Sequence, residues 1–132
     1  MLCFEVHLNG QRLCTAGIGD FGVLSAMITW VSHTPEKLAR WAAEGLPEID
    51  AMRVDLEVGG LNEDASEIRE HVKWIKRSLA VGDEIKLQIT EARESDSPQH
   101  RHRDDPALTL EHQKDYVRQM ATELGWEIRE SA

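Results

Sequence analysis

Residues 2–16 read LCFEVHLNGQRLCTA, and the fold class turns on them. Leu2, Phe4, Val6 and Leu8 alternate with Cys3, Glu5 and His7, the two-residue period of a half-buried strand. Asn9-Gly10 follows, the strongest short-range signal for a two-residue hairpin, because a type I′ turn needs positive φ at both central positions. Such a turn predicts Leu8 opposite Gln11, Val6 opposite Leu13, Glu5 opposite Cys14 and Cys3 opposite Ala16. Cys3 and Cys14 then share a face as diagonal neighbours. That spacing is about 7–8 Å, too wide for a disulfide, so two reduced thiols are expected.

Further strands follow outward from this hairpin. VLSAMITWV (23–31) is apolar and β-branched, the composition of a central strand. Thr34-Pro35 is a helix start, and PEKLARWAAE (35–44) carries an apolar stripe of Leu38, Trp41 and Ala42, closed by Gly45. MRVDLEV (52–58) alternates again, ending at Gly59-Gly60. IREHVKWIK (68–76) fits a strand with Val72 and Trp74 inward, and EIKLQITE (84–91) fits one with Ile85, Leu87 and Ile89 inward. Residues 94–107 are polar, contain two prolines and have no apolar period, so they predict a mobile surface loop. Leu110, Val117, Met120, Ala121 and Leu124 fall at helical spacing, which predicts a C-terminal helix over 109–124. The expected architecture is one α+β domain spanning 1–132. It has a mainly antiparallel sheet of about five or six strands, curled toward a half-barrel or sandwich, with a short internal helix and a C-terminal one. The four tryptophans, Trp30, Trp41, Trp74 and Trp126, fall on separate elements and are expected to fill the core between sheet and helices.

The chain of 132 residues is 41% hydrophobic and 30% charged, a globular balance, and no apolar run reaches membrane-spanning length. The first residues have neither the basic nor the apolar region of a secretory signal, which points to the cytoplasm. The net charge of −9 is spread evenly along the chain. Such a surface repels nucleic-acid phosphates and suits a basic protein partner.

Chemistry-bearing motifs are sparse. Gly17, Gly19 and Gly22 match the spacing of a dinucleotide-binding loop, but a hairpin precedes them and a strand follows. The fingerprint requires a strand-turn-helix. His100 and His102, one residue apart, would project to one side of an extended chain, and His112 follows. Imidazoles flanked by Asp104 and Asp105 make these three the candidate metal ligands. His7 and Cys14, on the polar face of the hairpin, are the one candidate thiol–imidazole pair, with no third group to orient it. No serine elbow, phosphate loop or zinc-protease helix is present.

LEVGGL (56–61), Trp74 and LAVGDEIKLQI (79–89) resemble small stand-alone bacterial proteins that are uncharacterised. The resemblance implies no catalytic residue and no cofactor. The leading expectation is therefore a non-enzymatic protein-binding domain, an acidic, immunity-like inhibitor of a basic partner. The alternatives are a small-ligand or metal-dependent enzyme using the 100–112 histidines, and a homodimer formed through a strand edge.

Overall fold

The computed structural model describes residues 1–63 and 69–129. Seven strands and two helices follow in the order β1 (Leu2–Leu8), β2 (Gln11–Gly17), β3 (Gly22–Ser32), α1 (Pro35–Ala43), β4 (Met52–Glu63), β5 (Arg69–Leu79), β6 (Ile85–Glu91), β7 (His100–Arg103) and α2 (Pro106–Leu124). The strands form two antiparallel sheets, β2-β1-β6 and β3-β4-β5-β7. The α+β class is as expected, but there are seven strands in two sheets rather than five or six in one. The extra strand is β7, which pairs with β5 inside the segment expected to be loop. No helix among the described residues is long and apolar enough to cross a membrane.

Asn9 and Gly10 adopt φ of 51° and 82°, and Leu8 lies opposite Gln11, as a type I′ turn requires. Beyond the turn the register departs from expectation. A bulge at Val6/His7 slips β2 by one residue, so Val6 faces Cys14 and Phe4 faces Ala16. A one-residue slip moves side chains to the other face. Cys14 and Ala16 thus turn into the core, where they join Val6, Leu56, Val58, Val72, Trp74 and Ile75. Cys3 is buried outside that cluster, and both thiols are free.

The two glycines of β4 do not end the strand; it continues to Glu63. A Cβ on Gly60 would lie 2.3 Å from the Val23 carbonyl oxygen, and one on Gly59 would lie 2.7 Å from that of Val72. The absence of side chains lets β3 and β5 close on β4 at this point, where β5 also bulges.

The helices are held mainly at their ends. Thr34 Oγ1 accepts from Lys37 N at 3.3 Å, with Pro35 at the first turn. Asp105 accepts from Ala107 N at 2.9 Å, again followed by proline. This second cap starts α2 three residues before the expected Thr109, because Asp-Pro here opens a helix rather than a loop. No residue of α1 is buried, and in α2 only Ala121 is.

Candidate protein-binding surface

β3 is an edge strand, not the central one its apolar composition suggests. It pairs with β4 over eleven residues without a bulge, from Gly22 opposite Asn62 to Ser32 opposite Met52. At the two ends of this ladder Glu63 N donates to Phe21 O at 3.1 Å and His33 N to Ala51 O at 2.8 Å. In an antiparallel ladder, bonded and non-bonded pairs alternate. Odd-numbered β3 residues therefore bond β4, and the N–H and C=O groups of Leu24, Ala26, Ile28 and Trp30 turn to the free edge.

The side chains of the same four residues share the inner face. Leu24 and Ala26 pack against the core. Further along, the three-stranded sheet no longer covers β3, leaving Ile28 59% and Trp30 66% exposed. Val54, opposite Trp30, is half-buried, and Met52, opposite Ser32, is exposed. The connection from α1 to β4 adds exposed Leu46 and Ile49 beside Glu44, Glu48 and Asp50. No lysine or arginine occurs between Trp41 and Met52, and those three acids form no ion pair among the described residues. His33 meets the Trp41 ring edge-on at 4.9 Å, and the Lys37 ammonium lies 5.8 Å from that ring, so the base of this lobe is internally packed. Ile28, Trp30 and Met52 thus form an exposed apolar patch on the inner face, and the connection that enters β4 at Met52 carries Glu44, Glu48 and Asp50.

The tryptophans do not all serve the core. Trp74 is 3% exposed and its Nε1 donates to the Asp96 carbonyl at 2.7 Å. Trp41 is half-buried, whereas Trp126, like Trp30, lies in solvent at 71% exposure. Alternation and helical spacing identify apolar positions but not whether a second layer reaches them.

Asp96 was not singled out by any motif, yet it ties the two sheets together. Its carboxylate accepts from Thr15 N at 2.8 Å and from the Arg12 guanidinium at 2.8 Å, and its own N–H donates to Thr15 O at 2.8 Å. The Thr15 amide, with Arg12 beside it, holds the carboxyl below the usual range despite some burial. These bonds also occupy the outer edge of β2.

The expected site residues are dispersed. His100 and His102 lie on β7, and His102 stacks tilted on His71 with centroids 6.2 Å apart. His71 Nε2 is 3.2 Å from Asp104 Oδ1. His112 lies exposed on α2. Among the described residues no group of three or more His, Cys, Asp or Glu side chains is placed to hold a metal ion. The bulge separates the thiol candidate: Cys14 faces the core with its pKa pushed up to about 11, chiefly by burial, while His7 Nε2 pairs with Glu5 at 2.6 Å. The glycine loop leads into β3, not a helix, so it lacks the helix N-terminus that a pyrophosphate needs.

The outer face of the larger sheet carries a groove of about 420 Å³ between Val23, Met27, Leu61 and His71. Its charged groups, Glu57 and Lys73, satisfy each other at 3.1 Å. A second hollow of about 410 Å³, beside Ile18 and Asp20, is bordered by Met1, Leu2, Phe4 and Leu24. Neither gathers a nucleophile, a base and an orienting group. Compared with known proteins, the chain matches no family model, no curated protein and no solved structure.

Proposed function

We propose that the protein is a non-enzymatic binding domain that docks a basic protein partner on the Trp30 patch and the acidic α1–β4 connection. One observation carries this reading: Trp30, Ile28 and Met52 stand in water at the end of the sheet where the α1–β4 connection enters, and Glu44, Glu48 and Asp50 on that connection form no ion pair among the described residues. Exposed apolar area costs about 25 cal/mol per Å², and a tryptophan is among the side chains most used as an interface anchor. The unpaired carboxylates would steer a cationic partner and set its orientation. Small size and a net charge of −9 agree with an inhibitor of the immunity type, which neutralises a basic protein by covering it.

The test is capture from a lysate of the native host on immobilised wild-type protein, Trp30→Ala, and a triple variant with Glu44, Glu48 and Asp50 changed to lysine. The expected result is one basic protein retained by the wild type, released by salt, and lost from both variants. Equal retention by all three proteins would reject the surface. A metal-dependent enzyme using His100, His102 and His112 is the competing reading; a metal ion retained in native mass spectrometry and lost on His100→Ala and His102→Ala would favour it.

A further inference from the structure

We propose that the free edge of β3 pairs with β3 of a second copy of this chain, joining two four-stranded sheets into one continuous antiparallel sheet about a two-fold axis. This goes beyond the partner reading, because it uses the main-chain groups of the edge rather than the Trp30 side chain and the acidic α1–β4 connection.

Three observations support a second copy as the occupant. First, the outward N–H and C=O groups of Leu24, Ala26, Ile28 and Trp30 have no partner among the described residues, over a strand of eleven residues with no bulge. Proteins protect such edges with lysine, proline, bulges or a covering segment, and β3 has none of these. Second, β3 is the longest of the four edges and the one without a charged residue. β2 is bridged at Thr15 by Asp96; β7 is four residues long and carries Arg101 and Arg103, both paired with Glu70; β6 is an open edge of seven residues that carries Lys86 and Glu91. Third, two copies each of net charge −9 repel over most of their surfaces, but Phe21 to Ser32 contains no ionisable residue. A self-complementary contact centred there brings no like charges face to face.

The ladder also fixes a register. Outward-facing groups sit on even-numbered residues, so full overlap of Gly22–Ser32 centres the two-fold axis on Met27. Ala26 then exchanges both main-chain bonds with the partner's Ile28. Met27 meets its own copy in a non-bonded pair, with Cα atoms about 4.5 Å apart. That spacing lies within the range a disulfide spans.

The full-length protein is measured by sedimentation equilibrium across a concentration series, alongside Ile28→Pro and Met27→Cys. Residue 28 turns its N–H away from β4, so proline there removes an intermolecular bond and no internal one. The wild type is expected to reach twice the monomer mass and Ile28→Pro to stay monomeric with unchanged circular dichroism. Met27→Cys is expected to form a covalent dimer under mild oxidation, with Cys3 and Cys14 buried and silent. A wild-type monomer throughout the series, a dimer that survives Ile28→Pro, or a dimer in which Met27→Cys does not cross-link would each overturn the proposal. If Ile28→Pro fails to fold, the Met27→Cys result decides alone.

Discussion

β2 and β3 are both edge strands, and the molecule treats them in opposite ways. β2 turns Cys14 and Ala16 into the core, and Asp96 covers its outer edge with two hydrogen bonds, one to the N–H and one to the C=O of Thr15, while its carboxylate also pairs with Arg12. β3 packs only Leu24 and Ala26 of its inner face against the core, leaves Ile28 and Trp30 in solvent, and offers a row of main-chain groups with no partner among the described residues. β2 is the more polar of the two, with Gln11, Arg12 and Thr15, whereas β3 has no ionisable residue. The difference is the second layer: a sheet and a connecting segment lie over β2, and nothing described lies over the distal half of β3. An uncovered apolar strand has a cost in water that burial against another chain removes.

The comparison can be broken most severely at Trp74, which anchors the covered side. Trp74→Ala removes a buried ring and its bond to the Asp96 carbonyl. It is expected to cost about 3–5 kcal/mol in urea unfolding. At Gly60, where β3 meets β4, an added methyl would press on the Val23 carbonyl oxygen. Gly60→Ala is expected to cost on the order of 2–4 kcal/mol, and to weaken any contact made by β3 along with the fold. Asp96→Ala uncovers β2 and leaves the Thr15 amide without its acceptor; about 1–3 kcal/mol is expected in the same assay.

The Asp96 contribution has a defined pH dependence. Its folded pKa is depressed, so the stabilisation is complete above the unfolded pKa of about 3.9 and is lost as pH falls through the lower folded value. With the side chain 44% exposed, solvent screening keeps the effect modest. Wild type should therefore lose stability below about pH 4, relative to Asp96→Asn, which lacks this titration. The smallest stability effect belongs to the open side. Trp30→Ala is expected to change unfolding by no more than about 0.5 kcal/mol while abolishing partner capture. A stability loss as large as that of Trp74→Ala would erase the distinction between the two strands.

What the sequence made legible follows the range of the interaction involved. The Asn9-Gly10 turn and the Thr34-Pro35 helix start are local, and each formed as read, as did the alternation of residues 52–58 except at Met52, expected inward but exposed. The slip of β2 is not local. Whether Leu13 or Cys14 opposes Val6 depends on what covers the hairpin, and both are apolar enough to be buried. Gly59-Gly60 carries the same letters whether it ends a strand or lets two neighbours approach. Asp105-Pro106 belongs by composition to the polar stretch before it, and only its hydrogen bond to Ala107 N marks it as a cap for the helix after it. Val23–Val31 shows the limit most clearly, because an apolar run reports that burial is needed but not which molecule provides it. Of the candidate site, His100, His102 and His112 are visible by type, whereas the Asp96 bridge and the exposure of Trp30 depend on how distant segments are placed.

The most direct test of the contrast between covered and open edges is residue-resolved amide hydrogen exchange as a function of protein concentration. In dilute solution the even-numbered amides of β3, at Leu24, Ala26, Ile28 and Trp30, should exchange fast while their odd-numbered neighbours and Thr15 stay protected. On concentration the even-numbered amides should become protected and Thr15 should not change. Even-numbered amides that are slow at every dilution would mean the edge is already satisfied within one chain, and would contradict the account.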